Sequence, residues 1–157
     1  MEREEVSITV KFAWAPACLV VAATLFCPIA VAANDDILFT ALLSDDDQST
    51  PTVSPGTGFA EVRLERATMK ITWKVTYKDL TSPPTAAGLY GPENVGGTAG
   101  LVVDLANGNP KSPLAGSMVL SDGVFQYLIT GRVYVNIHSK KYPNGELRGQ
   151  LRRQRPR

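Results

Sequence analysis

Between residues 69 and 78 apolar and polar side chains alternate without a break. Met69, Ile71, Trp73, Val75 and Tyr77 fall on one side, and Lys70, Thr72, Lys74, Thr76 and Lys78 on the other. A repeat of two is the period of a β-strand, and one apolar plus one polar face is the habit of an antiparallel sheet covering a core. Residues 59–65 repeat the pattern, with Ala60, Val62 and Leu64 set against Glu61, Arg63 and Glu65. The short link 66–68 predicts that these two strands form a hairpin. Upstream, the apolar run 36–44 predicts a first strand, and the Pro-, Gly-, Ser- and Thr-rich stretch 45–58 predicts a loop.

Downstream the strands are shorter. Residues 81–84 read as a turn, and 86–90 as a strand ended by Gly91-Pro92. Residues 93–97 form a Gly-containing loop, and 101–105 and 114–120 read as strands around the turn-rich stretch 106–113. The period then changes. Val124, Phe125 and Leu128 follow helical spacing behind Ser121 and Asp122, either of which suits an N-cap, and Gly131 suits the position after a helix end. One short helix over 121–131 is predicted. Strands 132–138 and 147–151 close the chain about a Pro143-Asn144-Gly145 turn. Many short strands with no strand–helix–strand rhythm predict an all-β sandwich or barrel.

The last two strands carry the most informative pattern. Antiparallel pairing about the turn sets His138 opposite Glu146, Asn136 opposite Arg148 and Tyr134 opposite Gln150. One face is then a polar ladder, while Val133, Val135 and Ile137 with Leu147, Gly149 and Leu151 make the other. A one-residue slip would mix the two sets, so this register is favoured. The face reads as a hydrogen-bonded ladder closing the sheet, as a binding surface, or as half of a metal site.

The N-terminus changes the picture of where the protein works. Residues 12–33 contain no charged side chain, and Ala30-Val31-Ala32 puts small residues where a signal peptidase needs them. Pro16 and Pro28 interrupt a continuous spanning helix. Residues 1–32 are therefore expected to be a signal peptide, with a retained N-terminal anchor as the alternative. The flank is unusual, since Glu2, Glu4 and Glu5 offset Arg3 and Lys11. Both cysteines, Cys18 and Cys27, lie in this segment, so the domain of residues 33–151 has no disulfide and no thiolate ligand. Its size allows a hydrophobic core to suffice. Residues 152–157 form a basic tail expected to be disordered. The formal net charge is only +1, and no aromatic residues interleave with the terminal arginines, so nucleic acid is not an expected partner.

Catalytic machinery is sparse. His138 is the sole histidine, and no nucleophile-elbow motif occurs. Gly96, Gly97 and Gly100 lack the strand-to-helix setting of a phosphate loop. Asp45, Asp46 and Asp47 lack the spacing of a calcium loop and read as a solvated acidic segment.

Taken together, Tyr134-Val135-Asn136-Ile137-His138-Ser139 and Pro143-Asn144-Gly145-Glu146-Leu147-Arg148-Gly149-Gln150-Leu151 resemble the closing signature of the CHRD (chordin) domain. Gly131-Arg132 and the opening Phe39-Thr40-Ala41-Leu42-Leu43 extend the resemblance over about residues 37–151. It implies a secreted or periplasmic, antiparallel Greek-key-like β-sandwich, found in animal chordin and in small exported bacterial proteins. In chordin such domains belong to a protein that binds secreted growth factors. The family pattern has an Ala-His-Ile-His-Gly-Pro run in mid-domain, where this chain has Ala87-Gly88-Leu89-Tyr90-Gly91-Pro92. Two histidines at that spacing with a third from the closing motif would look like a metal site, and the sandwich is similar to that of the copper/zinc superoxide dismutases. Only His138 is kept here.

The expectation is therefore a non-catalytic binding or structural module with no cofactor and no bound metal. Its partner would be an extracellular or envelope protein, with membrane contact only through an uncleaved N-terminus. Tyr90, Tyr134, Asn136, His138, Glu146 and Arg148 are the candidate binding residues. The competing reading is a metal-binding or superoxide-dismutase-like redox protein whose site has degenerated.

Overall fold

A computed structural model describes residues 36–155. The segment Met1–Ala32, expected to direct export, lies outside the described residues. Nine strands and one helix follow in the order β1 Asp36–Leu43, β2 Thr57–Glu65, β3 Lys70–Lys78, β4 Pro84–Tyr90, β5 Leu101–Asp104, β6 Leu114–Val119, α1 Asp122–Ile129, β7 Tyr134–Ser139, β8 Leu147–Gln150 and β9 Arg152–Arg153. They make two antiparallel sheets, ordered β6-β3-β2-β1-β9 and β5-β4-β7-β8.

The period-two strands behave as their pattern requires. β2 and β3 form the expected hairpin, pairing from Thr57↔Lys78 to Glu65↔Lys70. Their apolar sides are buried, and Lys70, Thr72, Lys74, Thr76 and Lys78 all face water. The core lies between the sheets. Phe39, Leu43, Leu64 and Ile71 of the first sheet and Leu89, Ile137 and Leu147 of the second are each under 3% exposed. Full burial of one such side chain is worth about 1.5–3 kcal/mol. Trp73 is buried too, and its indole N–H donates to the Leu105 carbonyl at 3.3 Å, so the aromatic bulk carries no unpaired donor.

α1 is the predicted helix. It begins after Ser121 and ends at Thr130, where the Gly131 amide bonds the Leu128 carbonyl and the Arg132 amide bonds the Tyr127 carbonyl. That pair of bonds is the Schellman motif, and Gly131 holds the positive φ of +74° that it needs.

Two expectations are corrected. Met69 does not extend the third strand; it takes a left-handed φ of 53° in the connecting turn, so β3 starts at Lys70. The basic tail is not disordered from Arg152. β9 pairs with β1 through Phe39↔Arg153 and Thr40↔Arg152, and the Gln154 amide bonds the Leu38 carbonyl at 2.8 Å. Composition misleads here because main-chain groups make these bonds: the free edge of β1 offers donors and acceptors whatever the side chains are. Both arginines point into solvent.

On one side the sheets touch. Ser44, just after β1, exchanges two backbone hydrogen bonds with Arg148 of β8, at 3.0 and 2.8 Å. The first sheet's loops are thereby carried onto the outer face of the second. Among the described residues no helix is long and apolar enough to cross a membrane.

Candidate functional site

β7 and β8 pair in the predicted register: Tyr134↔Gln150, Val135↔Gly149, Asn136↔Arg148 and Ile137↔Leu147. The polar ladder therefore exists, on the face turned away from the core. It is not wet. Tyr134, Asn136, Arg148 and Gln150 are 2%, 5%, 1% and 7% exposed. Buried polar groups need partners; the surrounding loops supply most of them, and Arg148 Nε and Gln150 Oε1 are left without one. From one loop, the carbonyls of Asn94 and Gly97 accept from the Arg148 guanidinium. The next residues of that loop put the Ala99 amide on the Tyr134 hydroxyl at 3.1 Å. From the loop after β1, the Gln48 side-chain amide donates to Asn136 Oδ1 at 2.9 Å. Asn136 in turn donates to the Asn144 carbonyl at 3.3 Å, and Gln150 donates to the carbonyls of Glu93 and Gly131.

Across the strands the aromatic members form a row. The Arg148 guanidinium lies 3.6 Å from the centre of the Tyr134 ring. Tyr134 stacks on Tyr90 of β4 at 5.6 Å between centroids and 20° between planes. Tyr90 meets the His138 ring at 5.5 Å. Burial pulls the Arg148 guanidinium below its usual range, against the attraction of Tyr134, Asp47 and Glu93. Its planar donors on two carbonyls and its contact with a ring face are what arginine offers and lysine does not.

His138 sits at the open end of the row. Its Nδ1 is 2.9 Å from the Pro143 carbonyl oxygen and its Nε2 is 2.8 Å from the Tyr90 hydroxyl. A carbonyl can only accept, which assigns a proton to Nδ1; in that neutral tautomer Nε2 accepts from the Tyr90 hydroxyl. The Tyr90 phenol stays protonated, since burial, followed by the charges of Tyr134 and Asp104, pushes its pKa up. Gly88 makes this reach feasible. It lies on β4 two residues before Tyr90, and a Cβ there would collide with the Leu101 side chain and come to 3.0 Å from the Tyr90 ring. The missing side chain at 88 leaves room both for Leu101 and for the Tyr90 ring that extends to His138.

Glu146 does not join His138, although the register sets them nearly opposite. Gly145 takes a φ of +125° at the end of the turn, and a Cβ there would collide with the Asn136 amide. After this reversal the Glu146 carboxylate points to other loops. Its Oε1 accepts from the Thr81 amide at 2.6 Å and from the Ser54 hydroxyl at 2.7 Å. Burial pushes this carboxyl up, but hydrogen bonding from Ser139, Thr81 and Ser54 outweighs it and holds the carboxyl below its usual range. Glu146 is fully buried and ties together the turn before β4, the loop after β1 and the closing hairpin.

The result is a cleft of about 340 Å³ beside the row. Tyr90, Tyr134, Asn136 and His138 form its inner wall, and Ser49, Thr50, Thr98 and Asn144 its outer one. Four of the six candidate residues therefore meet at one opening. Arg148 and Glu146 do not line it; they hold the loops that build it. The sequence reading missed Ser49, Thr50, Thr98 and Ala99. The available signal was indirect: a ladder of buried polar side chains demands covering loops, and the Ser/Thr-rich stretch after β1 is the obvious source. Among the described residues no group of three or more His, Cys, Asp or Glu side chains could hold a metal ion.

Comparison with curated proteins and with solved structures gave no significant match. The model of the CHRD domain family matches residues 39–151, from β1 through the residue after β8, and the chain belongs to that family.

Proposed function

We propose that this protein is a non-catalytic binding module that works outside the cytoplasm and takes its ligand in the cleft between Tyr90, Tyr134, His138 and the loop after β1. Membership of the CHRD family supports a binding module in general. The observation that carries the reading is the state of His138. Both ring nitrogens are engaged, by the Pro143 carbonyl and the Tyr90 hydroxyl, so among the described residues no serine, threonine or cysteine is hydrogen-bonded to the imidazole and no carboxylate orients it as a base. It serves as a fixed wall. The cleft suits binding, being a small concavity with convergent polar groups on a rigid sheet. The hollow on the outer face of the first sheet, about 430 Å³ between Leu42, Phe59 and Tyr77, is larger, but little polar chemistry converges on it. The unbroken apolar run ending at Ala30-Val31-Ala32 supports export.

A fragment screen followed by amide nitrogen–proton correlation spectra tests this. Hits are expected to shift the amides of Ala99, Asn136, His138 and Asn144 and to be recovered chemically unchanged. Shifts clustered at Leu42 and Phe59 would move the site, and conversion of a bound fragment would make the protein an enzyme.

A further inference from the structure

The hydrogen-bonding roles left over in the cleft say what it takes, on the reading that it is the binding site. We infer that its ligand is a neutral, hydroxyl-rich molecule: one or two sugar rings of a carbohydrate. Three observations lead there.

The lining carries no Lys, Arg, Asp or Glu. Both nitrogens of its imidazole are already engaged, by Pro143 and Tyr90, and the two terminal nitrogens of the nearby Arg148 guanidinium are turned to the carbonyls of Asn94 and Gly97. A carboxylate, sulfate or ammonium group would lose its hydration here without meeting a counter-charge, which costs far more than desolvating a hydroxyl.

The free hydrogen-bonding capacity is mixed. The Tyr134 hydroxyl accepts from the Ala99 amide, which leaves its own proton to donate. The Ser49 hydroxyl accepts from Thr98 at 3.2 Å and likewise keeps a proton. The Tyr90 hydroxyl donates to His138, which leaves its lone pairs to accept. Donors and an acceptor lining one cleft match groups that both donate and accept, and neighbouring sugar hydroxyls are such groups. A purely apolar ligand would bury them unpaired, at a cost of about 1–3 kcal/mol each.

The size and the walls agree. A volume of about 340 Å³ sits at the small end of the roughly 300–1,000 Å³ typical of ligand clefts. Tyr134 is buried between Arg148 and Tyr90 and offers its hydroxyl, while the half-buried Tyr90 and His138 rings give rigid aromatic surface beside it, the pairing that a sugar's apolar C–H face and polar rim require.

The test is calorimetric titration of the purified protein with cellobiose, maltose and N,N′-diacetylchitobiose, alongside digalacturonate and a tyrosyl-glycine dipeptide. At least one neutral disaccharide is expected to bind, with digalacturonate at least tenfold weaker. Ser49→Ala and Tyr134→Phe are each expected to weaken binding about three- to tenfold, the loss of one neutral hydrogen bond. Ser49 is exposed, so its variant reports on binding without unsettling the fold. Tighter binding of digalacturonate, or binding of the dipeptide alone, with shifts at Ala99 and His138, would overturn the carbohydrate assignment and leave the cleft as the site. Binding of a disaccharide unaffected by either variant would overturn both. Failure of every probe in the cleft, while fragments still shift the same amides, would overturn the carbohydrate assignment only.

Discussion

Replacing Glu146 with alanine removes the group that fastens three chain segments beneath the cleft. The carboxylate takes two short charge-assisted hydrogen bonds, from the Thr81 amide at 2.6 Å and the Ser54 hydroxyl at 2.7 Å. Bonds to a charged group contribute about 1.5–3 kcal/mol each, and a buried donor left without an acceptor costs about 1–3 kcal/mol. Water entering the vacated space recovers part of this, so Glu146→Ala is expected to cost about 3–5 kcal/mol. Glu146→Gln keeps one acceptor oxygen but replaces the other with an amide donor and removes the charge, for about 1–2 kcal/mol. Against a total of about 5–15 kcal/mol for an ordinary domain, the alanine variant is severe. Because Ser54 belongs to the loop that carries Ser49 and Thr50, amide exchange should quicken across residues 45–56. The pH dependence has a definite sign. The folded carboxyl sits below its reference value of 4.5, so its contribution is complete above that value and is lost as pH falls through the lower folded one. The wild type should therefore lose stability on acidification in that window more steeply than Glu146→Gln does. Urea unfolding at neutral and acid pH measures both quantities. A Glu146→Ala variant within about 0.5 kcal/mol of wild type, with unchanged exchange in the loop, would refute the reasoning.

Other expectations follow from single contacts. Trp73→Ala should cost about 3–5 kcal/mol by emptying the middle of β3, read by urea unfolding, and the chain without residues 1–32, in which Trp73 is the one tryptophan, should show blue-shifted, poorly quenched emission. Arg148→Lys should cost about 2–3 kcal/mol, because one ammonium cannot serve the carbonyls of Asn94 and Gly97 and also lie flat on Tyr134; proteolysis should then cut faster within residues 93–100. N-terminal sequencing of exported protein should begin at Ala33 or Asn34, whereas a chain still beginning before Phe12 would make the segment an anchor.

The parts of the fold written in side-chain alternation were legible. Ile71, Trp73, Val75 and Tyr77 specify a buried face by spacing alone, and Gly131 marks the helix end. The register of β7 and β8 followed from sorting apolar from polar residues, which fixed Asn136 beside Arg148. What stayed hidden depended on backbone geometry and on contacts distant in sequence. The turn at Gly145 swings Glu146 away from His138, and its partners Ser54 and Thr81 lie far off along the chain. The outer wall of the cleft has the same origin: nothing local in Ser49-Thr50 or Thr98-Ala99 shows that they cover β7. β9 escaped notice because main-chain pairing leaves no mark on composition.

The central claim is that the closing hairpin carries a preformed cleft that binds a neutral ligand without altering it. A crystal structure of the protein grown with the tightest-binding disaccharide tests it most directly. Intact sugar is expected between Ser49 and Tyr134, hydrogen-bonded to both, with the Tyr90–His138 contact near its present 2.8 Å. Sugar seated on the Leu42–Phe59 face, a cleaved or oxidised product, or a cleft closed by its own side chains would contradict it.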